Sequence, residues 1–90
     1  MKKHLNIKIY GKVQGVSFRY YAREKARALS LFGIARNESD GAVYFEVEGE
    51  EDDLKNFLEW CYKGPDTAHV EKVEYMYDAE VKKYGEFKVI

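Results

Sequence analysis

Ninety residues carry 15 Lys and Arg against 16 Asp and Glu, a length that fits one domain and a net charge of −1 that excludes a general nucleic-acid binder, which needs a basic excess. An apolar share of 46%, with 16% aromatics and eight Tyr, excludes disorder and supplies large rings for a small core. The single cysteine, Cys61, excludes an internal disulfide and a cysteine-built zinc site; with no run of ~20 apolar residues and no signal-peptide core, a cytoplasmic protein without a membrane span is expected.

Leu5, Ile7 and Ile9 alternate with Asn6, Lys8 and Tyr10, which predicts a half-buried strand running on to Val13. The glycine-flanked stretch Gly11-Lys12-Val13-Gln14-Gly15-Val16-Ser17 overlaps its end and leads onward. Phe18, Ala22, Ala26 and Leu29 recur at helical spacing, with Arg23, Lys25 and Arg27 on the wet face. The spacing predicts a helix from about Phe18 to Leu31, capped by Ser17 and closed by Gly33. Ile34 to Glu38 is extended, and Ser39-Asp40-Gly41 marks a hairpin. Val43, Phe45 and Val47 form the return strand, alternating with Tyr44, Glu46 and Glu48. Glu50 to Asp53 complement the positive end of a second helix, whose stripe is Leu54, Phe57, Leu58 and Cys61. Gly64-Pro65 stops it. Val73, Tyr75 and Tyr77 predict another strand, and Phe87 and Val89 a short last one.

The order strand, helix, strand, strand, helix, strand predicts an α+β fold. It is the ferredoxin-like β-α-β-β-α-β sandwich, with an antiparallel sheet of four or five strands and both helices on one face. Residues 1–90 are expected to form one domain, with no repeat or linker. The fold by itself assigns no activity.

Two places carry possible chemistry. The first is the turn from Gly11 into the first helix. Its glycines let backbone approach a ligand, the helix start favours an anion, and Arg19 can add a bidentate cation. The plainer reading, favoured by spacing alone, is a glycine-bearing turn beside a solvated arginine. The second is Asn37. Read locally, it is a turn asparagine bonded to its own backbone. Alternation sends Arg36 to the opposite face as a surface charge. His4 and His69 are too isolated for a metal site and read as surface or half-buried groups. Cys61 reads as core, and Trp60 as core or surface shelf. An RNA-binding sheet would want a glycine- and aromatic-rich central strand; Ala42 to Val47 does not match it, and Glu46 and Glu48 would repel phosphate.

Gly11-Lys12-Val13-Gln14-Gly15-Val16-Ser17-Phe18-Arg19 resembles the signature of the acylphosphatases. Gly33-Ile34-Ala35-Arg36-Asn37, continued by Asp40-Gly41, Val43 and Gly49, is similar to the second signature of that family. Gly64-Pro65, Ala68, Val70 and Val73 resemble its loop and fourth strand, and Phe87-Lys88-Val89 its last strand, so the likeness spans nearly the whole chain.

The resemblance implies hydrolysis of the carboxyl–phosphate bond of small acyl phosphates to a carboxylate and inorganic phosphate, without metal or cofactor. It implies that Arg19 binds the phosphate together with main-chain amides of Gln14, Gly15, Val16, Ser17 and Phe18, and that Asn37 orients the attacking water. It replaces the plainer readings of Arg19 and Asn37. The physics agrees. A carboxylate leaves readily without a general acid, and phosphoryl transfer rests on positioning and charge stabilisation. An amide such as Asn37 holds a water but is no strong base. Ile34 and Ala35 depart from the family's usual aromatic and Val, and Ser30 from its frequent Gly, which bears on how the first helix ends. A monomer with no nucleic-acid or membrane partner is expected. The alternatives are an accessory anion-binding module of the same fold, against which the stand-alone length argues, and an RNA-binding domain.

Overall fold

Every second residue of β1 (Lys2–Lys12) from Leu5 to Ile9 is fully buried. A strand so completely covered belongs inside a sheet, and β1 lies between β3 (Val43–Glu50) and β4 (His69–Asp78). The computed structural model describes all 90 residues. Its sheet has the order β4-β1-β3-β2-β5, with β2 at Phe32–Asn37 and β5 at Phe87–Val89. Helices α1 (Phe18–Ala28) and α2 (Glu51–Lys63) both pack on one face. No helix is long and apolar enough to cross a membrane.

The sheet is mixed, which corrects the wholly antiparallel expectation. β5 runs parallel to β2, pairing Gly33 with Phe87 and Ala35 with Val89. β4 and β5 occupy opposite edges, so the connecting residues 79–86 must cross the entire sheet. They do so over the face opposite the helices.

Between sheet and helices lies one core. Phe18, Ala22 and Ala26 of α1 meet Leu54, Phe57, Leu58 and Cys61 of α2 over Leu5, Ile7, Phe45 and Val47. Phe18 is its corner stone, 5.9 Å from Phe45 and 5.4 Å edge-on to Trp60 by ring centroids. Gly64 closes α2 against this ring; a Cβ there would sit 2.5 Å from Phe18 Cε2.

Helix α1 stops at Ala28, earlier than expected, and Gly33 does not end it. Ser30 takes the left-handed conformation (φ 57°). Its N–H reaches the Arg27 carbonyl and the Leu31 N–H reaches that of Ala26, the paired bonds of a Schellman ending. A serine therefore does what glycine usually does there. Gly33 serves β2 instead, where a Cβ would stand 1.8 Å from the Glu46 carbonyl oxygen.

The face opposite the helices holds a buried polar layer of His4, Glu46 and Glu48, which carries His4 beyond the surface or half-buried position expected of it. All three are at most 7% exposed. His4 Nδ1 lies 2.7 Å from Glu48 Oε2, and its Nε2 2.7 Å from Asn6 Oδ1. Glu46 accepts from Lys82 Nζ at 2.7 Å, Tyr84 OH at 2.8 Å and Tyr44 OH at 2.9 Å. The main-chain N–H groups of Lys82 and Tyr84 donate to Glu48. The crossing segment is thus fastened by two carboxylates. Burial pushes the Glu46 carboxyl up, but its three donors outweigh this and hold it at about 2, below its ordinary 4.5. A depressed carboxyl stabilises the fold fully above its unfolded value and loses that contribution as pH falls toward the folded one. The urea midpoint is expected to fall between pH 5 and pH 2, roughly the window spanned by the two values, and Glu46→Gln is expected to flatten that fall. An acid loss of equal size in both chains would contradict this role.

Candidate active site

The segment Val13–Ser17 is pinned at both ends, since Val13 and Phe18 are each 1% exposed. Between these anchors Gly15 (φ 74°) and Ser17 (φ 62°) both adopt left-handed conformations. No atom lies within 4 Å of a Cβ added at Gly15, so its backbone angle, not space, requires glycine there. Ser17 occupies the expected N-cap position, yet its left-handed backbone leaves its side chain without a bond to the helix. The curl leaves the N–H groups of Gly15, Val16 and Ser17 with no main-chain acceptor. Such successive N–H groups in a curled loop form a concavity for an anion.

Helix α1 starts directly behind this curl. Its first turn holds no acidic residue, whereas that of α2 holds Glu51, Asp52 and Asp53. The positive end of the α1 dipole is left without an acid of its own. Because Phe18 turns into the core, its neighbour Arg19 turns outward. One Arg19 Nη1–H donates to the Ile90 main-chain oxygen at 3.2 Å.

Asn37 comes from the other side of the cleft as the last residue of β2, opposite Val43. Gly33 and Ala35 face the helices, and the alternation carries Asn37 to that same face. Arg36 points the other way, its guanidinium 4.5 Å over the Tyr44 ring and its Nε 3.0 Å from Glu38 Oε2. The turn-asparagine reading of Asn37 fails, because Asp40 does that work. Its Oδ1 accepts the Ala42 N–H at 3.0 Å, and Lys8 Nζ lies 2.9 Å from its Oδ2. The bond from Lys8 and then that from Ala42 hold the Asp40 carboxyl below the usual range. The side-chain amide of Asn37 is left outside the turn's hydrogen bonds.

Gln14 joins the two sides. Its Nε2 donates to the carbonyls of Glu38 at 2.8 Å and Ala42 at 2.9 Å, which flank the hairpin after Asn37.

One cleft of about 460 Å³ unites most of the expected residues: Gly15, Ser17, Phe18, Arg19 and Asn37 line it. Gln14 and Val16 do not. Gln14 braces the hairpin, and Val16 turns away, its carbonyl accepting from Thr67 Oγ1 at 2.8 Å. Four further residues line the cleft that sequence reasoning did not assign to the site: Val13, Tyr20, Arg23 and Val89. Arg23 lies four positions after Arg19, so helical spacing could have placed both on one face. Val89 had no such signal, since a three-residue strand carries too little pattern. No acidic residue lines the cleft. It can hold an anion against one or two guanidinium groups and a ring of amides, with a polar amide opposite.

Residues 5–89 match the acylphosphatase family model. The chain is 46% identical over 74 residues to an acylphosphatase of Nocardioides sp., covering 82% of this chain and 75% of that protein. An acylphosphatase structure from Coxiella burnetii is similar at a TM-score of 0.93 and 36% identity, covering 99% of this chain and 93% of that one. One from Bacillus subtilis gives a TM-score of 0.95 at 29% identity, covering 100% and 99%.

Proposed function

The chain belongs to the acylphosphatase family and hydrolyses acyl phosphates, and from that premise we propose which groups carry the reaction and how. The phosphoryl group sits in the curl of Gly15, Val16 and Ser17 at the head of α1, with Gln14 and Phe18 completing the backbone of the cradle. Arg19 forks onto two of its oxygens. Asn37 holds a water on the side of phosphorus away from the acyl oxygen. The water oxygen bonds to phosphorus, the bond to the acyl oxygen breaks, and the electron pair leaves with the carboxylate. Both water protons end on the phosphate, which exchanges them with solvent.

Charge spread over the equatorial oxygens is met by the Arg19 guanidinium and the amides, which are oriented before substrate arrives. The leaving carboxylate is stable as an anion and needs no proton, so neither a general acid nor a metal is called on. The observation that supports this reading best is the joint placement of Arg19, Asn37 and the unpaired N–H groups of Gly15 and Ser17 around one acid-free cleft. In the same reading the 90 residues act as one domain. It works as a cytoplasmic monomer that takes a small acyl phosphate, releases inorganic phosphate and engages neither nucleic acid nor membrane. The net charge of −1 supports the last point.

Purified protein is expected to hydrolyse benzoyl phosphate at the same rate with and without EDTA, followed by loss of substrate absorbance. Abolition by EDTA would overturn the metal-free mechanism, and absence of turnover would overturn the whole assignment.

A further inference from the structure

Arg23 lines the same cleft as Arg19 but has no part in the reaction just described. The two arginines stand one turn apart on α1, so their side chains emerge about 6 Å apart along the helix. Like charges at this spacing repel when nothing lies between them. Arg23 is also held in place. Its guanidinium lies 5.2 Å over the Tyr20 ring, and its side chain is only 30% exposed.

Its Nε–H is buried and makes no hydrogen bond. The nearest acid, Glu24, has Oε2 3.4 Å from that nitrogen but off the line of its N–H, and it is shared with Arg27 at 3.7 Å. A buried donor without an acceptor is destabilising, and the one acid beside it does not relieve it. Burial closes the Nε–H to a ligand in the cleft, but the two Nη groups at the end of the guanidinium make a fork that fits the two oxygens of a carboxylate. Arg19 and the loop amides already serve the phosphate end.

We propose that Arg23 is a specificity residue that binds a second carboxylate on the acyl half of the substrate, so that the cleft prefers acyl phosphates made from dicarboxylic acids. The inference rests on the acylphosphatase reading of the cleft and adds its substrate class. A four-carbon diacid fits the spacing. In succinyl phosphate the free carboxylate lies one ester oxygen and three carbons beyond phosphorus, a reach comparable with the ~6 Å between the two arginine positions.

Succinyl phosphate and acetyl phosphate test this, with Arg23→Gln and Arg23→Lys beside the unaltered chain. Arg23→Gln is expected to lose about tenfold or more in kcat/KM for succinyl phosphate, the worth of one charged, paired hydrogen bond, with acetyl phosphate changed by less than about twofold. Arg23→Lys, which keeps charge but not the fork, is expected to fall between. An unchanged ratio of the two substrates in Arg23→Gln would overturn the proposal. So would equal losses on both, because Arg23 would then act on the phosphate or on the leaving carboxylate common to all substrates.

A binding measurement separates this from the parent assignment. In 5-phosphonopentanoate a phosphonate and a carboxylate stand at the spacing of succinyl phosphate, with no bond to hydrolyse; pentylphosphonate lacks the carboxylate. Calorimetry is expected to show about tenfold tighter binding of the first, and loss of that difference in Arg23→Gln. Equal binding of the two phosphonates, or binding of neither, would overturn the role of Arg23. Missing turnover of both acyl phosphates beside selective phosphonate binding would remove the enzymatic reading and leave the diacid site standing.

Discussion

Arg19→Ala is expected to lower kcat/KM for benzoyl phosphate roughly 10³-fold or more, close to what removal of a charge-stabilising arginine or oxyanion donor costs in other phosphoryl- and acyl-transfer enzymes. The loss is large because Arg19 is asked to act twice. Under the proposed mechanism it binds the phosphate in the ground state and meets the charge that spreads over the phosphoryl oxygens as the acyl bond breaks. The loop amides remain in the variant, so some rate survives. A loss of that size corresponds to about 4 kcal/mol of transition-state stabilisation. Phosphate binding should vanish with it. The unaltered chain is expected to melt at a higher temperature in the presence of phosphate, as any ligand of the folded state requires, and the variant should not respond. Arg19 also donates to the Ile90 oxygen, so the variant should lose up to about 1 kcal/mol of stability from that bond. Arg19→Lys distinguishes charge from geometry. A point charge without the fork should recover part of the binding and less of the rate. If Arg19→Ala still binds phosphate with unchanged affinity, the assignment of the phosphate end is wrong.

Asn37→Ala should show the opposite division. Its kcat is expected to fall about 100-fold, the cost of letting a reactant water wander out of line, or about 3 kcal/mol. Phosphate affinity should stay within about twofold, because the proposed mechanism has Asn37 touch the water and not the anion. Asn37 is exposed at the end of β2 and takes no part in the bonds that close its hairpin. The variant should therefore melt within a few degrees of the parent, as an exposed substitution does. Equal losses of phosphate affinity in Arg19→Ala and Asn37→Ala would contradict the separate roles.

Much of this molecule could be read before its coordinates. Alternation at Leu5, Ile7 and Ile9 and the stripe of Leu54, Phe57, Leu58 and Cys61 report which face of each element is covered, and these residues are all buried. The loop before α1 was legible as a glycine-bearing turn from residue type, above all Gly15, but as a candidate site only through the family resemblance, since spacing alone favoured the plainer reading. What escaped lies where pattern and position separate. Alternation sets Glu46 and Glu48 on the face of β3 opposite Val43, Phe45 and Val47, which is where the structure has them. It cannot show that residues 79–86 lay a third layer over that face and bury them with His4. Arg23 was assigned to solvent because helical period locates only the core, and a cleft is a gap beside the core. Ser30 escaped because a serine was not expected to adopt the left-handed angle that ends α1. The parallel β5 was invisible in direction, since its three residues pair the same way on paper in either sense.

The brace made by Gln14 has a consequence for how rate depends on motion. The curled loop before α1 and the hairpin behind Asn37 come from separate stretches of chain, and one amide group spans them through two carbonyls. Their mutual placement is settled when the chain folds. Conformational entropy that a lid would surrender in every catalytic cycle is surrendered here once, during folding, and under the proposed mechanism the substrate would enter a cleft already shaped for in-line attack. Under the proposed mechanism such a brace would put rigidity in the place of closure, which suits a reaction whose leaving group departs without shelter from water.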